Sequence, residues 1–313
     1  MRRFLALARS ATLEALAEPL SAVLFLVALL TIHLAPVFHY HQFGEPGRLA
    51  RECGFSALLV FGLVFATAAA VRVIGGEIAS GTAAAALARP VPRPLFFCSK
   101  IAGVVFAFGI FSVAVAAATL LATYASSEGA HQATCCEDGN ASRIWQPGLV
   151  AGTCLTLGGF ALAAAANRFL RARFCVTACF LLTLAQPLAL LGAIPFGHDG
   201  FLMTAGELQW RMVPALGLLA SACVVFIVLA GALAVRLKPA PTVALVSAAV
   251  VSSFIWPVRA VLPAIQRYWL VDSLAYGASF TMGEVGFAAL GAGLLTVFWL
   301  IVGAMLLQGR ELP

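Results

Sequence analysis

The residues able to do chemistry in this chain are few and unevenly placed. Of its 313 residues only 10% are charged, and the only lysines are Lys100 and Lys238. There is no Gly-x-x-x-x-Gly-Lys-Ser/Thr loop to cradle a nucleotide's phosphates, so any nucleotide chemistry must come from a partner chain. There is no His-Glu-x-x-His run, which argues against an intramembrane metalloenzyme. No cysteine spacing reads as a zinc site. The most informative stretch is 75–100, where Glu77, Arg89, Arg93 and Lys100 stand among Gly, Ala and Pro.

Within that stretch Glu77 to Ala88 is rich in Ala, the best helix former, and Glu77 suits a helix N-terminus. Arg89 precedes a proline and is pushed out of helical space, so the helix is expected to stop there. Pro90, Pro92 and Pro94 then form a stiff extended segment before Leu95, Phe96 and Phe97 enter the next apolar run. A short helix on a rigid strut, joined directly to two apolar runs, can pass a push between them. The alternative is an ordinary loop whose arginines only fix topology.

The elements around this stretch follow from composition. The chain is 62% hydrophobic with a mean hydropathy of +1.00, whereas a soluble domain carries roughly 25% charged residues. Such a chain cannot cover its surface in water, and a bilayer removes the difficulty. A span needs roughly 17–25 mainly apolar residues. Eight runs qualify: 19–38, 55–74, 101–125, 148–166, 174–196, 213–236, 242–258 and 284–308. The seventh is the weakest, ending at Pro257 and Arg259, and a six-span core with the others re-entrant is the alternative. The expectation is an all-α, single-domain, polytopic membrane protein.

Orientation follows from the basic residues. One set of loops holds Arg2, Arg3, Arg9, Arg72, Arg89, Arg93, Lys100, Arg168, Arg171, Arg173, Arg236, Lys238 and Arg310. The other holds only Arg48, Arg51, Arg143, Arg211, Arg259 and Arg267. Thirteen against six of the 19 places both termini on the cytoplasmic side. Residues 1–18 set Phe4, Leu5, Ala8, Ala11, Ala15 and Leu16 on one half of a helix and Arg2, Arg3, Arg9, Ser10, Glu14 and Glu18 on the other, with Leu7 and Leu13 as exceptions. That pattern suits a helix lying on the membrane surface; a frayed tail is the alternative. Gly158, Gly159 and Ala163–Ala166, with Gly283, Gly286, Gly291 and Gly293, are expected to let helices approach closely.

No carboxylate or histidine falls clearly at mid-bilayer, His33 being the nearest case, and this disfavours an ion-coupled carrier. Basic residues without interleaved aromatics give no sign of nucleic acid. In the outer loops, His39 with His41, or His131 with Cys135 and Cys136, admit a metal site or a plain interfacial belt. Cys53 with Cys135 or Cys136 admits a bridge between loops.

Glu77-x-x-x-Gly81-Thr82, then Leu87-x-Arg89-Pro90-Val91-x-Arg93, then Lys100, resembles the signature loop of type-2 ABC exporter permeases. Pro92 stands where that family has Ser, and Ser99 where it has Gly. The N-terminal helix resembles the family's elbow helix, and Arg310-Glu311-Leu312 its ending past the last span. Ile265 to Gly277, with Trp269 and Asp272, is similar to the segment before the last span in a nitrous-oxide-reductase-maturation-like branch. The resemblance implies a permease of the bacterial inner membrane, with no catalytic, cofactor or metal residues of its own. It would pair with a cytoplasmic ABC ATPase that binds the ATP, and with a second copy or a second permease, among membrane lipid. It further implies that Glu77, Gly81, Thr82, Arg89, Pro90, Arg93 and Lys100 couple the permease to that ATPase. A non-transporting membrane scaffold or assembly factor is the rival reading.

Overall fold

The computed structural model describes residues 1–37, 47–83, 92–135, 147–193, 209–255, 261–275 and 281–310. The protein is an all-α polytopic membrane protein, and no described residue is in a strand. In chain order the helices are α1 (Arg2–Leu16), α2 (Pro19–Leu34), α3 (Arg48–Ala70), α4 (Glu77–Ala79), α5 (Arg93–Cys135), α6 (Pro147–Leu170), α7 (Phe174–Ala193), α8 (Met212–Ala234), α9 (Pro239–Ile255), α10 (Val271–Ala275) and α11 (Met282–Gln308). Among the described residues seven helices are long and apolar enough to cross a bilayer. The weakest of the eight expected spans is α9, which has 17 residues and lies at the lower limit of crossing length.

Two expectations about 75–100 change. Glu77 does not open a new helix, because Gly76 before it is helical (φ −65°, ψ −44°). Instead α3 continues through a π-helical stretch, Val71–Gly76, into α4. The proline strut is also shorter than expected. Pro94 lies in the first turn of α5, where a missing N–H removes no helical bond. Residues 84–91, which include Arg89 and Pro90, lie outside the described residues.

The interior is built on α3, α5 and α8, whose apolar side chains are largely buried, while α6 and α11 are mostly exposed at the rim. Phe25 of α2 meets Phe65 of α3 and Phe111 of α5 edge-on, with ring centroids 5.9 and 5.0 Å apart. Close approach uses other glycines than those expected. Gly158, Gly286 and Gly293 face open space. A Cβ on Gly54 would fall 2.2 Å from Thr119 Oγ1, and one on Gly303 would fall 2.2 Å from Phe97 Cζ.

The N-terminal segment is a docked helix and not a frayed tail. Its Ala11, Thr12, Ala15 and Leu16 are buried, and Thr12 Oγ1 donates to the Gly103 carbonyl of α5 at 3.0 Å. Leu5, expected on the buried face, is 57% exposed, while Leu7, an exception to the pattern, packs against the core. The first turns therefore rotate so that Arg2, Arg3 and Arg9 stay exposed.

Candidate functional site

The site is one end of the bundle, where α1, the end of α3, the start of α5, and the ends of α8 and α11 meet. A π turn holds one more residue per hydrogen-bonded loop than an α turn and is less stable, so it marks a helix under local stress. Here it carries Arg72, whose Nη1 lies 2.6 Å from Glu18 Oε2 at the start of α2. Beyond it the chain turns back at Gly81, which adopts φ +72°, a conformation that costs L-residues about 1–2 kcal/mol. The turn bonds to itself: Ser80 N–H donates to the Gly76 carbonyl at 2.9 Å, and Thr82 Oγ1 donates to the Glu77 carbonyl at 3.2 Å. The helix end is thus capped locally. Ile78 and Ala83 are buried, while Ser80 and Thr82 are exposed at the tip.

Under the tip sits Lys100, 3% exposed, on the second turn of α5. Its Nζ lies 2.5 Å from Glu77 Oε1 and 3.8 Å from Glu14 Oε2 of α1. The Phe96 ring is 5.9 Å below the ammonium. A buried ammonium is tolerated only with close opposite charge, so this lysine ties α1 and the 77–83 turn to α5. Glu77 Oε2 is buried without a hydrogen-bond partner among the described residues. Glu14 sits above its ordinary carboxyl pKa because burial disfavours its charge, an effect Lys100 opposes.

Three further cations, Arg93, Arg236 and Arg310, hold helix ends. Arg93 Nη1 donates to the carbonyls of Leu307, Gln308 and Arg310 at 3.4, 2.7 and 3.1 Å. Arg236 donates to Gly309 O at 2.8 Å, and Arg310 donates in return to Val235 O. A guanidinium over a helix C-terminus satisfies its last carbonyls and its negative dipole end. Arg93 is therefore engaged within its own chain. Beneath these charges Ile74, Phe97, Ile101, Val228 and Leu307 form a separate apolar cluster.

Of the residues singled out in the sequence, Glu77, Gly81, Thr82, Arg93 and Lys100 thus lie together at one end, and Arg89 and Pro90 fall outside the described residues. Glu14, Glu18 and Arg72 complete the network. Helical spacing in α1 had shown Glu14 only as a polar-face residue, with no sign of its cation 86 positions away.

A second polar group crosses the bundle. His33 of α2 is fully buried, and its Nε2 donates to Gln186 Oε1 of α7 at 2.8 Å. Gln186 Nε2 donates to Thr156 Oγ1 of α6 at 2.9 Å. Gly152 makes room, since a Cβ there would lie 2.5 Å from the imidazole. Among the described residues no His, Cys, Asp or Glu group could hold a metal ion. His39, His41 and Cys136 lie outside the described residues, as do the side chains of His131 and Cys135. Cys53 forms no bridge to a described cysteine.

Comparison with protein-family models, curated proteins and solved structures gives no match for the chain.

Proposed function

We propose that this protein is the membrane-spanning permease subunit of an ATP-driven ABC-type transporter, working as an exporter. Its 75–100 segment would couple it to a separate cytoplasmic ATPase. The observation that carries the reading is the buried Lys100 between Glu77 and Glu14. A partner pressing on the exposed tip at Ser80 and Thr82 would push on a turn tied rigidly to α5 and α1. The same load would reach α3 through its π turn, the segment best able to change its winding. Alternating access would then arise from rocking of helix bundles. The protein has no catalytic role in this scheme; the ATPase binds and hydrolyses ATP. It would lie in a bacterial inner membrane with both termini cytoplasmic, paired with a second copy or a second permease.

Reversal of charge at Arg89 and Arg93 is expected to uncouple hydrolysis from transport. Because Arg93 also holds the end of α11, the cleaner variant is Thr82→Trp, which enlarges the exposed tip without touching the ion pairs. In proteoliposomes carrying both subunits, it is expected to abolish substrate-stimulated ATP hydrolysis while leaving the permease folded. Unchanged stimulation contradicts the reading and favours a non-transporting membrane scaffold.

A further inference from the structure

A cavity of about 850 Å³ lies at the opposite end of the bundle. Irregular backbone at membrane depth is tolerated only where it is buried in protein or lines a cavity. One wall here is the 265–270 stretch, a single 3-10 turn (Ile265–Arg267) followed by irregular backbone, that leads into α10. That stretch is held firmly. Trp269 meets Phe55 edge-on at 6.0 Å, and Tyr268 Oη donates to the Ala288 carbonyl of α11 at 3.2 Å. The facing wall is the first part of α11, from Glu284 to Gly291.

The lining is segregated. Arg267 and Glu284 are exposed at the mouth, and no ion pair joins them to each other or to another described residue. Glu284 Oε2 accepts the Thr281 N–H in a capping box. Below the charges the wall is apolar, formed by Leu218, Val285 and Ala288. Leu290 and Leu294, 69% and 73% exposed, continue an apolar track along α11. From Thr281 to Gly291 the helix advances roughly 15 Å, about the depth from the headgroup layer to the middle of one leaflet.

We propose that this cavity binds a phospholipid bearing a zwitterionic, ethanolamine-type headgroup. Its phosphodiester would sit on the Arg267 guanidinium and its primary ammonium on the Glu284 carboxylate. One acyl chain would lie along Leu290 and Leu294. The pairing selects by charge and by hydrogen bonding. An anionic glycerol headgroup offers Glu284 only neutral hydroxyl donors and no cation, and a quaternary choline has no N–H to give it. The site is remote from the coupling turn, and the inference does not depend on transport.

Native mass spectrometry of the purified full chain tests it, titrated with phosphatidylethanolamine, phosphatidylcholine and phosphatidylglycerol of identical acyl chains. Wild type is expected to retain phosphatidylethanolamine about tenfold more tightly than either of the others. Arg267→Gln should lose that retention for all three. Glu284→Gln, which keeps the helix cap, should lose the ethanolamine preference and bind phosphatidylglycerol at least as well. Equal retention of the three lipids by wild type overturns the proposal. So does an ethanolamine preference that survives in both variants.

Discussion

Replacing Lys100 by Met would keep the apolar stem over Phe96 and remove only the ammonium, leaving Glu77 and Glu14 with no cation between them. Breaking a buried pair from one side typically costs about 3–5 kcal/mol. Both glutamate side chains here keep some contact with solvent, so we expect the lower part of that range, read as a fall in thermal stability in detergent. The swap Lys100→Glu with Glu77→Lys should recover part of the loss, whereas a purely steric role for Lys100 predicts no recovery. At the turn, Gly81 has no heavy atom within 4 Å of an added Cβ. Gly81→Ala therefore meets backbone strain alone, about 1 kcal/mol, and Gly81→Asn should be milder. In the interior, Gln186→Leu would strand His33 Nε2. Hydrogen bonds between membrane helices average only about 0.6 kcal/mol, so the expected loss is near 1 kcal/mol, measurable by unfolding in mixed micelles. These contacts were only partly legible beforehand. The spacing of Glu77, Gly81 and Thr82 was visible in the chain, but the partner of each side chain depends on which helices become neighbours.

At the scale of elements, the docking of α1 is expected to depend on pH. Burial raises the pKa of Glu14 above its ordinary 4.5, so the docked helix binds that proton more readily than a detached one. Its contribution to docking is complete below the ordinary value and is lost as pH rises through the raised one. A spin label at the exposed Ser10 should gain mobility as pH increases in that window, and Glu14→Gln should flatten the response. Mobility that falls with rising pH would contradict the assignment. The helices themselves were largely readable, because long apolar runs in a bilayer must satisfy their backbone internally. The π turn was not, since Val71–Gly76 differs from an α turn only in hydrogen-bond register. Nor were the tight glycines: hydropathy averages around a helix and cannot distinguish Gly303, pressed on Phe97, from Gly293, facing open space.

For the whole molecule, Arg93, Arg236 and Arg310 join the end of α11 to the same end of the bundle that carries α1 and Lys100. The described ends of the chain, α1 and the end of α11, therefore lie on one side, and on the proposed reading that side, which carries the excess of basic residues, is the cytoplasmic one. Reporter fusions at either terminus are expected to read as cytoplasmic. The exposed apolar faces of α6 and α11 suit lipid contact, in keeping with a chain whose surface is mostly solvated by the bilayer. The most direct test of the central claim is a mild-detergent pull-down of the tagged full chain from its native membrane, for wild type and Thr82→Trp. A stoichiometric Walker-motif ATPase is expected with wild type, and its loss with the variant. Wild-type chain that purifies without an ATPase, while an unrelated membrane complex in the same extract stays intact, would contradict it.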